Sequence, residues 1–205
     1  MTTRKPTAER LAAFSDGVLA VIITIMVLEL KVPHEDGLAG LLGVVPTLLI
    51  YLLSFTFIAI YWVNHHHLIH RVEQADHRIL YANLGFLFCS SLLPFFTAYV
   101  LEKHSDAFSV ELYAASMILS GFSFLLLRLA VGRLLAQQGR LEAEDVATRR
   151  KHYASLALYV IAIPLAQYHS YIALGVIALV TVVWIYPTAR AKHCPEDAGA
   201  LKPKG

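Results

Sequence analysis

The chain has 205 residues, of which 57% are hydrophobic and 16% charged, with a formal net charge of +2. A soluble domain is usually about half apolar and a quarter charged, so this balance is shifted toward lipid. The apolar residues gather in long runs, and the length leaves no room for a separate soluble domain of useful size. The 2 cysteines stand in different settings, Cys89 inside an apolar run and Cys194 in the tail. That argues against a mutual disulfide and implies no oxidising compartment. A cleaved leader is not expected either, because the first apolar run is long, contains Asp16 and lacks a small-residue cleavage site after it.

A membrane span needs about 20 predominantly apolar residues. The expected fold is therefore an all-α integral membrane protein with six spans. The first runs from Leu11 to Val32 and ends before Pro33. The second runs from Leu41 to Asn64, and the third from Ile79 to Leu101 with a kink expected at Pro94. The fourth covers Val110 to Gln137. The fifth, Tyr153 to Tyr168, and the sixth, Tyr171 to Pro187, are separated only by His169 and Ser170, so a tight helical hairpin is expected there. Residues 1–9 read as an N-terminal segment, 10–189 as one transmembrane unit, and 190–205 as a hydrophilic tail of disordered character.

Six spans put both termini on one side, and the basic residues test that arrangement. Arg4, Lys5, Arg10, Arg71, Arg78, Arg133, Arg140, Arg149, Arg150, Lys151, Arg190, Lys192, Lys202 and Lys204 fall on the side of the termini. Only Lys31 and Lys103 fall on the other, with Arg128 inside span four. The positive-inside rule then places both termini in the cytoplasm of a multi-pass cell-membrane protein. Glu35, Asp36, Glu102 and Asp106 give the longer outer loops an acidic character.

Span one carries the most unusual sequence: Arg10-Leu-Ala-Ala-Phe14-Ser15-Asp16-Gly17-Val18, then an almost purely aliphatic run to Leu30. A carboxylate at membrane depth is costly, so Asp16 needs a partner or water. Capping near the interface, or a tie to a neighbouring span, meets that need. At 100° per residue, Arg10, Phe14, Gly17, Val21, Thr24, Ile25 and Leu28 fall along one stripe. Asp16, Ala20, Ile23 and Val27 fall on the back. Periodicity does not say whether the stripe packs in a core or lines a conduit.

The string from Arg10 to Val18, continued by Ile22-Ile23-Thr24-Ile25 and Leu28-Glu29-Leu30, resembles the signature of the transmembrane protein 175 family. Trp62-x-Asn64-His65-His66-His67 at the end of span two and Asn83 in span three extend the resemblance along the chain. The family comprises potassium channels of endolysosomes with shorter bacterial relatives. The resemblance implies a single six-helix unit of bacterial type that assembles as a homotetramer, with helix one of each subunit lining a central pore. Like the family, the chain lacks a Thr-Val-Gly-Tyr-Gly filter. The resemblance further implies that Val21, Ile25 and Leu28 form aliphatic constriction rings, with the Thr24 hydroxyl near them. Val21 is smaller than the isoleucine or leucine often found at its position. Arg10, Phe14, Ser15, Asp16, Trp62, Asn83 and either His65 or His66 are implied to brace the pore helix. Aliphatic rings of this kind exclude ions by dewetting and open by widening. Potassium is the expected permeant ion, with modest preference over sodium, and no cofactor or nucleic-acid partner is expected.

Two other classes compete with this reading. His65, His66, His67 and His70, followed by His77, include i,i+3 and i,i+4 spacings that suit a metal on one helix face. No Glu completes an HExxH pattern, so a metal-dependent intramembrane enzyme has little support, and interfacial histidines are the simpler reading. A secondary transporter usually shows broken helices in repeated halves, and none is evident. Arg128 and Arg133 are too few for a voltage sensor and are expected to snorkel to the interface. The run from Glu142 to Lys151 reads as a solvated connection of mixed charge. Glu29 suits either an outer vestibule or the interface.

Overall fold

The computed structural model describes residues 8–185, which form eight helical segments. The expectations for residues 1–7, for the end of span six at Pro187, and for the tail with Cys194 lie outside the described residues. The segments are α1 (Ala8–Leu28), α2 (Gly37–Gly43), α3 (Val45–Ile69), α4 (His77–Ser91), α5 (Leu93–Glu102), α6 (Ala107–Gln137), α7 (Ala143–Tyr168) and α8 (Ser170–Ile185). Among the described residues, four rods are long and apolar enough to cross a membrane: α1, α3, the combined α4–α5, and α6. α8 is a shorter apolar helix.

The boundaries follow local chemistry. α1 stops at Leu28, four residues before the expected Val32, well ahead of Pro33. Span two is divided rather than continuous. Val44 separates the short α2 from α3, and Pro46 sits in the first turn of α3, where its missing N–H costs no helical bond. The expected kink in span three is a one-residue break at Leu92, with Pro94 again in a first turn. Asp76 caps α4 by accepting from the Ile79 N–H at 2.8 Å. Asp106 caps α6 by accepting from the Ser109 N–H at 2.9 Å. At the other end of α6, Gly139 takes φ +69°, and the Arg140 N–H reaches back to the Leu135 carbonyl at 2.8 Å. A residue without Cβ adopts that left-handed cap most cheaply.

The run Glu142–Lys151 is not an irregular connection. It forms the first turns of α7, which begins ten residues before the expected Tyr153. The Asp145 carboxylate accepts from the Glu142 N–H at 2.9 Å and so seals the helix start. The charged face of these turns hides a helical pattern that packing completes. The α7–α8 hairpin is as tight as expected: only His169, in an extended conformation, separates the helices.

α6 is the central post, packed against α4, α5, α7 and α8. Between membrane helices there is little hydrophobic drive, so close approach depends on small residues. Ala114, Ser116, Ser120, Gly121 and Ser123 of α6 are buried, as are Ser155, Ala162 and Ala166 of α7 and Ala173 of α8. At Gly121 a Cβ would come within 2.9 Å of Leu156 Cδ2 and 3.0 Å of the Tyr61 hydroxyl. The missing Cβ lets His152 Nε2 sit 2.9 Å from the Gly121 carbonyl. A second buried link joins α3, α5 and α6: Ser54 Oγ lies 2.9 Å from Thr97 Oγ1 and 2.7 Å from the Tyr113 hydroxyl.

α1 stands apart from this post and packs against α3, α4 and α5. Its first turn is tied to the α3–α4 connection by the Ala8 N–H and the Glu73 carbonyl. Arg71 in that connection donates to the Arg140 carbonyl at 3.0 Å, to Glu142 at 3.3 Å and to Asp145. The Asp145 hydrogen bond raises the guanidinium above its ordinary value. These bonds gather the start of α1, the α3–α4 connection and the α6–α7 connection at one end of the bundle.

Candidate functional site

The sides of α1 meet different surroundings. Leu11, Ser15, Leu19, Ile22 and Met26 recur at helical spacing and are buried against the rest of the chain. Within this apolar seam Ser15 is the polar member, and its environment is fully built. Ser15 Oγ donates to the Leu11 carbonyl at 2.8 Å and accepts from Asn83 Nδ2 at 2.9 Å. Asn83 Oδ1 in turn lies 2.7 Å from His65 Nε2. Ser15, Asn83 and His65 each have 0% exposure. One helix thus reaches two others through a chain of hydrogen-bonded buried polar groups, of which only His65 Nδ1 is left without a partner; such a chain rigidifies a core.

Asp16 lies one residue round the helix and is half-buried. The Trp62 indole N–H donates to its carboxylate at 2.8 Å, which supplies the partner that a carboxylate at this depth requires. Trp62 and His65 belong to the same helix, so α3 holds α1 twice, once directly and once through Asn83 of α4.

The sequence left His65 and His66 undecided, and packing separates them. His65 points inward to Asn83 and stacks on Phe86 with ring centroids 5.9 Å apart. His66 lies against Trp62 at 5.8 Å and against His70 at 4.1 Å. His67 is exposed. The histidines therefore do not converge on one point, and no group of three or more metal-ligating side chains occurs among the described residues.

The remaining face of α1 is the stripe. Arg10, Phe14, Gly17, Val21, Thr24, Ile25 and Leu28 are all exposed in the single chain. Val21 is 54%, Ile25 43% and Leu28 80% exposed. Arg10 and Phe14 therefore lie on the stripe rather than within the Ser15–Asn83–His65 network. The hydroxyl of the exposed Thr24 donates to the Val21 carbonyl at 2.9 Å, so its oxygen retains acceptor capacity. Beside the stripe runs a groove of about 970 Å³, lined by Phe14, Gly17, Val21 and Ile25 on one wall and by Pro94, Phe95 and Ala98 on the other. Glu29 stands at one end of it. The stripe is thus a long apolar face that its own subunit leaves uncovered.

Sequence reasoning missed several polar links. The Ser54–Thr97–Tyr113 link was signalled only by hydroxyl residues recurring in three apolar runs. The His152–Gly121 contact and the Arg71 junction had no signal, because each joins segments far apart in the chain.

The fold and this face define a multi-pass helical membrane protein whose first helix is anchored on one side and open on another. Residues 10–94 match the family model described as endosomal/lysosomal potassium channel TMEM175. A potassium channel of Chryseobacterium sp. (strain P1-3) is 40% identical over 184 residues, covering 90% of this chain and 95% of the relative. A potassium channel of Chamaesiphon minutus is 34% identical over 179 residues, covering 82% and 88%. The fold is similar to the crystal structure of a lysosomal potassium-selective channel TMEM175 homolog from Chamaesiphon minutus. That likeness has a TM-score of 0.76 and 28% identity, covering 87% of this chain and 96% of the other. The chain belongs to the TMEM175 family. Its named relatives are ion channels, so the enzyme and transporter alternatives lose their ground.

Proposed function

We propose that this chain is a potassium-permeable cation channel in which several copies of α1 surround a central pore. The observation that carries the proposal is the uncovered stripe of Val21, Thr24, Ile25 and Leu28 on a helix whose opposite side is hydrogen-bonded into its own subunit. One stripe on one helix cannot enclose a conduit, whereas four related by a rotation axis can. The subunit then spans the membrane six times, through α1, α3, α4–α5, α6, the apolar part of α7, and α8. The basic loops share one end of the bundle, which the positive-inside rule assigns to the cytoplasm of a cell-membrane protein.

Conduction in this arrangement is passive. Val21, Ile25 and Leu28 supply stacked aliphatic rings that dewet the closed pore, and widening them readmits water and potassium. Thr24 adds an oxygen beside the rings that substitutes for part of the lost hydration. No ring of carbonyls or carboxylates surrounds the ion at that level, so preference for potassium over sodium is modest. Ser15, Asp16, Trp62, His65 and Asn83 hold the helix and do not touch the ion. The test is flux from liposomes containing the purified chain, where potassium is expected to pass faster than sodium. Potassium permeability no greater than sodium would overturn the selectivity proposed here. In the same vesicles, Ile25→Ala and Leu28→Ala are each expected to raise the leak of the closed channel. Conductance and selectivity unchanged in both would remove these residues from the constriction.

A further inference from the structure

Where α6 and α7 leave the bundle at its basic end, a cavity of about 360 Å³ opens between them, with no α1 residue in its lining. Three guanidinium groups line it: Arg128 and Arg133 of α6 and Arg149 of α7, with Leu129, Leu135 and Val146 among the apolar lining. Arg128 is the deep member. Its contacts are Asn64 Oδ1 at a long 3.4 Å and the face of Phe124 at 5.4 Å, and its Nε is buried without a hydrogen-bond partner. Arg133 is exposed and Arg149 half-buried, and neither makes an ion pair among the described residues.

The cavity also contains Asp145, and that carboxylate is already used. One oxygen accepts from Arg71 and the other from the Glu142 N–H at 2.9 Å. It cannot also neutralise three arginines. The cavity therefore combines positive charge with no ion-pair partner, guanidinium donors of the kind that bind phosphate oxygens, and an apolar wall on α6. A free anion satisfies the first two properties and leaves the wall unused, whereas a phospholipid satisfies all three. Basic pockets between membrane helices at the cytoplasmic level are suited to anionic headgroups.

We infer that this cavity between α6 and α7 binds the phosphate headgroup of an anionic phospholipid, with Arg128, Arg133 and Arg149 as its donors and a lipid chain lying along the half-buried Leu129. The experiment is native mass spectrometry of the full chain taken from vesicles of equal phosphatidylglycerol and phosphatidylcholine. The wild type is expected to retain phosphatidylglycerol preferentially. R133Q/R149Q is expected to retain it at least about tenfold more weakly, and Arg133→Gln alone, at an exposed position, by a smaller factor. R78Q/R150Q removes the same charge outside the cavity and is expected to retain the lipid as the wild type does. Equal retention of the two lipids by the wild type, or equal losses in the two double variants, would overturn the site. Displacement of phosphatidylglycerol by millimolar inorganic phosphate would assign the cavity to a soluble anion instead and overturn the lipid.

Discussion

Asn83 occupies the middle of a three-helix hydrogen-bond chain, and its two amide ends do different work. Nδ2 donates to Ser15 and Oδ1 faces His65. Replacing it by leucine keeps the branched shape, leaves the buried His65 Nε2 without its partner and removes the link to Ser15. Hydrogen bonds between membrane helices are worth about 0.6 kcal/mol on average and at most about 2. Asn83→Leu is therefore expected to cost about 1–2 kcal/mol, whereas Ser15→Ala, which removes one bond between helices and the local bond to the Leu11 carbonyl and leaves Asn83 Nδ2 without its acceptor, costs less. Thermal unfolding in detergent measures both, and equal stabilities would show that the chain of bonds contributes nothing. The identity of the bracing histidine belongs to this scale as well. His65 and His66 are neighbours in sequence, so composition and periodicity treat them alike. Only the 100° turn of the helix, read against the placement of α4, sends one ring to Asn83 and the other to His70.

At the scale of helices, ends and close approaches carry the predictions. The Asp106 carboxyl is held below the ordinary aspartate value by the Ser109 hydroxyl and the Ser109 N–H. A depressed value means that the cap contributes fully above the unfolded-state value and is lost as pH falls through the folded-state value. Amide exchange at the start of α6 is therefore expected to accelerate below the ordinary aspartate range in the wild type. In Asp106→Asn, which caps without titrating, that acceleration is expected to vanish. Gly121 makes a different demand. Alanine there presses on a flexible leucine end and on the Tyr61 hydroxyl, so Gly121→Ala is expected to cost about 1 kcal/mol. Gly121→Leu is expected to part α6 from α7 and abolish a stable fold, read as loss of a monodisperse peak in detergent. Long apolar runs made α1, α3 and α6 legible in the sequence, because lipid leaves few alternatives for such segments. The start of α7 was not legible. Its first turns carry Glu144, Asp145, Arg149, Arg150 and Lys151, and their helicity comes from the seal at Glu142 and from contact with α6.

For the whole molecule, the arrangement separates two jobs. α6, α7 and α8 form a post closed by small residues, and α1 leans on α3, α4 and α5 with one face bare. At about 1.5 Å per residue, the 31-residue α6 is about 46 Å long, more than the ~30 Å hydrocarbon core, so its basic end emerges into water. The uncovered apolar groove beside α1 predicts self-association. Cysteine pairs placed on the stripe, such as at Gly17 and Val21, are expected to cross-link subunits. Pairs on the outer faces of α7, such as at Val160, are expected not to. A cross-linking pattern that favoured α7 would place the shared axis elsewhere.

The contact between Trp62 and Asp16 also makes the molecule its own optical probe. The chain holds only 2 tryptophans, and each indole N–H has a separate partner: Asp16 for Trp62, and Ser155 for Trp184. Emission from an indole shifts with the charge and hydration at its nitrogen. In a Trp184→Phe background, the remaining fluorescence comes from Trp62 and reports whether the first helix keeps its grip on the third. In a Trp62→Phe background, the signal comes from the far hairpin and reads as a stationary reference. The two signals of one protein thus separate motion of the first helix from motion of its frame, without any attached dye.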